Sequence, residues 1–389
     1  MAETIRGGFV LCLTYHLPNV SGLTMSAHQV ARAVQARGHD VAVVAGRSPP
    51  DLPAREIVDG MEVTRVRAWG RLGKALIMPG YAAALWRAMR GRTFVNVHLP
   101  NMDAAIIALT TRLRGRRLIV SYISSMSKAG LGARVMRAVA AMSHLVAGAL
   151  AERIVVTSAD YAAQSTFCRI FRRKVVPAPL PIWLNLLPDE TPREPGPRAA
   201  SEAAPFRIGY VGRIARQKSL NVLLAAIPRL AERVGPHFTI DLIGPADAVI
   251  GENDWRGILA EAERSGGRVR HLGTLHGAAL AAAYRDLDVM VLPSTDRLES
   301  FGLVQVEAMW RGVPCVASDM PGMRYPVEAS GMGRLTPPGD SNALAGAIAD
   351  TLLQGPPHYA SGPELERLFG VETACKPYLD LVGTPGPAK

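Results

Sequence analysis

Cysteine is scarce in this chain of 389 residues: the four present, Cys12, Cys168, Cys315 and Cys375, stand far apart and mostly in apolar surroundings. That spacing matches neither a zinc site nor the disulfide framework of a small secreted domain, so a reducing cytoplasm is the expected compartment. Long apolar runs are missing too, since none approaches the roughly 18 residues of a membrane-spanning helix. The short run Gly8 to Thr14 has little charge before it and ends at Tyr15-His16, not at a small-residue cleavage site. It reads as a first buried strand, not as a signal peptide. Also lacking are internal repeats, any low-complexity tract beyond one proline-rich segment, and the aromatic-studded or helix-turn-helix patterns by which nucleic acid is read.

What is present is an uneven charge. Residues 1–200 hold 26 Lys+Arg against 12 Asp+Glu, while residues 201–389 hold 18 against 21, and the whole chain is +11. The basicity of the first half excludes little by itself, but without nucleic-acid motifs it fits an anionic bilayer surface or an acidic, phosphate-bearing partner. Peripheral contact with the inner membrane face is one of two readings. The stretch from Trp69 to Arg90 mixes cations with aromatics and is the candidate for such contact. The alternative is a core-packing helix with a solvated basic face.

Apolar runs of strand length at 8–14, 40–45, 62–67, 94–98, 117–122 and 153–157 alternate with helical patterns such as 24–37 and 80–90, which describes one α/β domain. Eight prolines fall in 177–205, enough to break any regular element. A second series of strands follows near 206–211, 238–243, 268–272, 288–292, 314–318 and 333–335. The reading is an N-terminal domain over 1–180, a linker over 181–205, a C-terminal domain over 206–362, and a terminal helix and tail over 363–389.

The motif richest in chemistry is Glu299-Ser-Phe-Gly-Leu-Val-Gln-Val-Glu307, which puts two carboxylates across a strand-to-helix turn. A helix beginning near Gly302 or Leu303 aims free N–H groups and its positive dipole end at the turn, a natural seat for phosphate. Two carboxylates beside an anion site accept hydrogen bonds from sugar hydroxyls, so the expected ligand is a sugar joined to phosphate. Gly209-Tyr-Val-Gly212-Arg213-Ile-Ala-Arg-Gln-Lys218 supplies a second strand end, with cations suited to a diphosphate. Each motif alone also fits an ordinary solvated loop. Asp286-Leu287-Asp288 has the look of a metal-binding carboxylate pair, but Asp288 opens a buried strand and no metal is expected there.

Taken in order, these motifs resemble the retaining glycosyltransferases of family 4, whose GT-B architecture has two facing Rossmann-like domains. Tyr15 to Thr24 is similar to the family's first glycine-containing loop, Val211-Gly212-Arg213 with Lys218 to its diphosphate motif, Glu299 to Glu307 to its paired-glutamate signature, and Pro337 to Asp340 to its closing loop. The resemblance implies transfer of a sugar from a nucleotide diphosphate to a lipid-linked, glycan or small-molecule acceptor, with retention, without a metal and without a tightly bound cofactor. It assigns Gly212, Arg213 and Lys218 to the diphosphate and Glu307 to the ribose. Glu299 would face the transferred sugar with Ser300, Phe301, Gly302 and Leu303, whose backbone N–H groups line the turn. Gly244 and Gly273 to Leu275 would approach the base, and Gly22 would let the first loop approach the phosphates. The same resemblance has the last helix cross back to the first domain.

One departure matters. Where many relatives carry a histidine, this chain has Ile123 in Tyr122-Ile123-Ser124-Ser125, and isoleucine can neither bind a hydroxyl nor move a proton. His98 is the candidate to take over catalytically, with Tyr15, His16 and Asn101 as further acceptor-side candidates. A histidine at a strand end is equally at home as a structural group. Ser219 stands where the family has glycine after the lysine. A catalytically weak, nucleotide-sugar-binding scaffold therefore remains an alternative, as does another enzyme on the same fold, such as a phosphorylase or an epimerase.

Overall fold

The structure, a computed structural model, describes residues 7–72, 75–124, 131–182, 196–246, 255–265, 267–297 and 299–383. The chain divides into two compact units, residues 1–181 with 370–389, and residues 182–369. Both are α/β, as the alternating pattern predicts.

The strands of the first unit are β1 (Gly8–Cys12), β2 (Val41–Arg47), β3 (Arg55–Val58), β4 (Met61–Arg67), β5 (Gly70–Leu72), β6 (Ala75–Ile77), β7 (Arg92–Leu99), β8 (Arg117–Tyr122), β9 (Arg153–Val156) and β10 (Val175–Pro177). Eight of them form a sheet in the order β10-β9-β8-β7-β1-β2-β4-β3. It is parallel except for β3, which runs antiparallel to β4. β1 lies between β2 and β7, so the order reverses there, and the loops after β1 and β7 leave the sheet at the same point. Open parallel sheets bind ligands beside such reversals.

Side chains alternate between the two sheet faces, and each face has its own core. On one, Val10, Val95, Val97 and Val120 pack with Tyr81, Leu85, Ile107 and Ala147 of the helices Tyr81–Ala88, Ala104–Leu113 and Leu131–Leu150. On the other, Phe9, Leu11, Phe94 and Ile119 meet the helix Gly22–Ala36 and the last helix, Val371–Val382. That last helix is fastened by polar contacts as well. Tyr378 Oη lies 2.7 Å from Ser121 Oγ, and Arg153 donates to the Pro377 carbonyl at 2.7 Å. The segment 363–389, read from the sequence as one element, is split at Gly370: the helix Gly362–Phe369 belongs to the second unit and Val371–Val382 to the first. Phe369, wholly buried, packs edge-on against Phe301, which holds the earlier helix in the second unit.

Residues 70–77 form the hairpin β5–β6 ahead of the helix Tyr81–Ala88. Leu76, Met78, Tyr81 and Leu85 enter the core, but Trp69 is 78% exposed and Trp86 41%, so the two tryptophans of this stretch do not pack as core. Gly73 and Lys74 lie outside the described residues, as do 183–195 of the proline-rich segment. The rest of that segment is anchored: Arg198 donates to Asp288 at 2.6 and 2.8 Å and to the Pro205 carbonyl. All four cysteines are buried and unpaired. Among the described residues no helix is long and apolar enough to cross a membrane.

The second unit holds β11 (Phe206–Val211), β12 (Phe238–Ile243), β13 (Val269–Gly273), β14 (Val289–Leu292), β15 (Cys315–Ser318) and β16 (Gly333–Thr336). They form one sheet in the order β13-β12-β11-β14-β15-β16. Every pairing in it is parallel. The reversal falls between β11 and β14, the two strands that precede the motifs at 212–218 and 299–307.

Candidate functional site at the sheet reversal of the second unit

At the carboxyl end of β11 the chain makes tight backbone contacts that only glycine permits. Gly212 has φ 144° and Gly244 φ 137°, and a Cβ on Gly244 would lie 2.1 Å from the Gly212 carbonyl oxygen. Gly212 N–H donates to the Ile243 carbonyl at 2.8 Å, and Gly244 N–H to that of Gly273 at 2.8 Å. Three neighbouring strand ends are thereby pinned together. Tyr210, buried in β11, donates its hydroxyl to the Arg213 carbonyl at 2.8 Å and folds the loop back on itself. Burial first, and then the charge of Glu299, push that phenol well above its ordinary pKa, so it remains a donor.

Lys218 ends this loop in a short 3-10 turn, Arg216–Lys218, and its ammonium forms an ion pair with Glu299. Two loops that leave adjacent strands at the reversal are thus joined by charge. Ser219, next in line, has φ 51° and ψ 39°, the left-handed region that explains glycine's usual presence there. Its hydroxyl lies 2.7 Å from Thr295 Oγ1 and accepts from Thr295 N–H at 3.3 Å, while Ser294 Oγ donates to the Gln217 carbonyl at 2.8 Å. The serine bolts the first loop to the one that follows β14.

The loop after β14 is held from behind. Gly302, at φ 75°, precedes the helix Leu303–Trp310, and Gln305, wholly buried, donates to the carbonyls of Phe301 at 3.1 Å and Met323 at 2.9 Å. Gly322 approaches so closely that a Cβ would sit 2.2 Å from the Ser300 carbonyl oxygen. Phe301 is 1% exposed and packs against Tyr325 and Phe369, so only its backbone can serve a ligand. Ser300 is 5% exposed and, with Leu303, belongs to the same turn. Glu307, a turn into the helix, accepts from Tyr284 Oη at 2.8 Å. Burial raises its pKa, against the lowering effects of the Tyr284 hydrogen bond and of Arg311.

Arg213, Lys218, Glu299 and Glu307 therefore all lie on the two segments that leave the sheet at its reversal. Among the described residues no carboxylate pairs with Arg213. Leu275, two residues past β13, is partly exposed. Tyr210, Ser219, Tyr284, Thr295 and Gln305 were not among the residues singled out from the sequence as ligands or supports. For Ser219 alone was there a signal, its replacement of a glycine. Asp286 and Asp288 are engaged elsewhere: Asp286 pairs with Arg207 at 2.5 Å and Asp288 with Arg198, while the wholly buried Asp241 is neutralised by Arg207 and Arg270.

In the first unit Tyr15 Oη accepts from Arg71 at 3.4 Å. His16 Nε2 lies 3.2 Å from His28 Nδ1, whose ring in turn meets Asp59 at 2.8 Å. Arg65 donates to the Leu17 carbonyl at 2.6 Å, so the loop after β1 is clamped from two sides. Burial, with the nearby charges of His28 and Arg65, lowers the His16 pKa to about 3. Ser21 caps the following helix through Thr24 N–H at 3.2 Å, with Gly22 as its first, exposed residue. His98 is 1% exposed, and burial lowers its pKa to about 3, so its ring is neutral. Asn101, also buried, accepts from Asp103 N–H at 2.8 Å and donates its own N–H to His144 at 3.3 Å. Ile123 is 8% exposed and its N–H donates to the Leu99 carbonyl at 3.2 Å.

Comparison with known proteins identifies the family and the fold. Residues 205–354 match the family model "Glycosyl transferases group 1" and residues 21–181 the "Glycosyl transferase 4-like domain". Phosphatidyl-myo-inositol mannosyltransferase of Mycobacterium leprae is 25% identical over 352 residues, covering 90% of this chain and 87% of the relative. The enzyme of that name from Mycolicibacterium smegmatis is 26% identical over 361 residues, 90% of this chain and 85% of its own. Among solved structures, sucrose-phosphate synthase of Thermosynechococcus elongatus superposes with a TM-score of 0.70 at 21% identity, over 96% of this chain and 98% of the other. Anabaena HepE, solved with UDP-glucose, gives 0.69 at 21% identity over 96% and 99%. Two adjoining family models and a shared fold leave one conclusion: the chain belongs to the family 4, group 1 glycosyltransferases and has their GT-B fold of two Rossmann-like domains.

Proposed function

We propose that the chain is a retaining, metal-independent glycosyltransferase that takes a sugar from a nucleotide diphosphate and passes it to a lipid-linked, glycan or small-molecule acceptor. The observation that carries this reading is the ion pair between Lys218 and Glu299 across the sheet reversal, beside the amino end of the helix Leu303–Trp310. An ammonium has three N–H donors, so Lys218 can hold Glu299 with one and a phosphate oxygen with another. Glu299 is thereby oriented toward sugar hydroxyls at the edge of an anion site. The fold shared with Anabaena HepE, solved in complex with UDP-glucose, and the mannosyltransferase relatives support a nucleotide-sugar donor.

In this mechanism the bond from the anomeric carbon to the diphosphate oxygen breaks first. Charge grows on the diphosphate, where Arg213, Lys218 and the N–H groups of residues 301–303 stabilise it as it develops. The acceptor oxygen then bonds to the anomeric carbon on the face the diphosphate has left, and its proton passes to a diphosphate oxygen. No protein nucleophile is required, and two cations with a helix dipole do the work of a metal ion. Glu307 binds the ribose, and its hydrogen bond from Tyr284 fixes the carboxylate in place.

The test is a thermal-shift and hydrolysis screen against UDP-, GDP- and ADP-sugars, with Arg213→Ala and Glu299→Ala as controls. A donor that stabilises the wild type and is slowly hydrolysed by it, but not by the variants, is the expected result. A second reading, a nucleotide-sugar-binding scaffold, is favoured by Ile123, whose enclosed side chain offers no polar atom to a sugar. Stabilisation without turnover in any acceptor mixture would select it.

A further inference from the structure

The helices Tyr81–Ala88, Ala104–Leu113 and Leu131–Leu150 form a layer over one face of the first unit's sheet, the middle helix packed against both others. Their inward sides are ordinary core. Their outward sides are not ordinary surface, because none of the three helices contains an Asp or a Glu. A solvated helix face normally mixes both signs of charge.

In place of acids, this face exposes large apolar side chains. On the middle helix Ile106, Leu109 and Leu113 are 45, 50 and 78% exposed, and their spacing of three and four residues makes one stripe opposite the buried Ala104, Ile107 and Ala108. On the long helix Val139 is 54% and Met142 64% exposed, and Trp86 on the first is 41% exposed. Single exposed apolar residues mean little, but a layer of three adjacent helices carrying them is a patch. The exposed cations on it, Arg87, Arg90, Arg112 and Arg137, make no ion pair among the described residues. Arg114 lies over the Trp86 ring at 4.5 Å and joins two of the helices. Two acids flank the helices in sequence: Asp103 precedes the middle one, with its pKa pushed up to about 6 by burial, and Glu152, just after the long one, is paired with Arg117.

We propose that this three-helix face docks on the surface of an anionic lipid bilayer. Leucine, methionine and tryptophan side chains enter the boundary between headgroups and acyl chains, while the arginines stay at the level of the anionic headgroups. A second copy of the chain is a poor occupant, since a symmetric interface would set these unpaired arginines against one another. Nucleic acid fits no better: its phosphates would satisfy the arginines but leave the leucine stripe against water. The inference stands whether or not the donor chemistry is as proposed.

The experiment is co-sedimentation of the full chain with phosphatidylcholine vesicles, with and without phosphatidylglycerol, alongside Trp fluorescence. Binding to the anionic vesicles with a blue shift, weakened by salt, is expected. With each cation near an anionic surface contributing roughly a fivefold factor, Arg87→Glu/Arg112→Glu lowers partitioning by about 25-fold or more. Leu109→Glu/Leu113→Glu abolishes the insertion while circular dichroism stays unchanged. Three results would each overturn the proposal: no binding to either vesicle, binding indifferent to both double variants, or a dimer in light scattering that Leu109→Glu/Leu113→Glu dissolves.

Discussion

Replacing Ser219 separates two opposed contributions at one residue. Its backbone, at φ 51° and ψ 39°, costs an L-residue about 1 kcal/mol relative to glycine. Its hydroxyl, 2.7 Å from Thr295 Oγ1 and accepting from Thr295 N–H, returns about 1–2 kcal/mol through two partly buried hydrogen bonds. Ser219→Ala keeps the backbone cost, loses the bonds and leaves Thr295 donors short of a partner, so it destabilises by about 2 kcal/mol. Ser219→Gly loses the same bonds but relieves the backbone, so it stays within about 1 kcal/mol of the wild type. The expected order is Ser, then Gly, then Ala, the reverse of the usual preference for alanine over glycine in a helical turn. Denaturant unfolding of the full chain by circular dichroism reads the midpoints, and nucleotide-sugar affinity reads the neighbouring Lys218. Alanine as stable as glycine or more so would refute the argument, because the left-handed backbone would then carry no cost.

Other perturbations have equally definite signs. Gly244→Ala forces a Cβ to within 2.1 Å of the Gly212 carbonyl at a φ of 137°, and should cost about 3 kcal/mol or more and abolish nucleotide stabilisation in a thermal-shift assay. His98 has a folded pKa of about 3, below its unfolded value, so the unfolded chain binds the extra proton: stability is intact above about pH 6.5 and falls as pH drops toward 3. Between pH 7 and pH 5 that one ring costs about 2 kcal/mol, and His98→Leu should flatten the unfolding-midpoint profile over this window. Tyr284→Phe removes the donor from a buried Glu307 whose pKa is already raised. The variant should lose about 1–3 kcal/mol at neutral pH, with the deficit against wild type shrinking as acid protonates the carboxylate.

Much of the fold was legible because parallel strands buried on both faces read as apolar runs, unbroken in β1 and β14 and interrupted by only one or two polar residues in β11 and β12. The strands that escaped are those with little core to declare them. β3 shows alternating exposed and partly buried residues at a sheet edge, and β5 and β6 are three residues each. β10 ends on Pro177, inside the segment read as a linker. Within the site, Glu299, Glu307 and Lys218 were legible because acids and cations at strand ends stand out in any sequence. Gln305 and Tyr284 did not stand out, since a buried amide and a buried phenol look like core until their partners are known. The pairing of Lys218 with Glu299 was hidden for another reason: it joins residues 81 positions apart through the strand order, which sequence spacing does not encode.

The last helix, Val371–Val382, supplies Cys375, Tyr378, Leu379 and Val382 to the core of the unit that the first 181 residues otherwise build. During synthesis, the first unit must therefore wait, with one face of its sheet partly uncovered, while the whole second unit emerges and folds. Completion of the first core therefore depends on a segment made after every residue of the second unit. A chain broken off before Val371 would hold a finished second unit beside an open, aggregation-prone sheet, and quality control would meet it as one defective molecule.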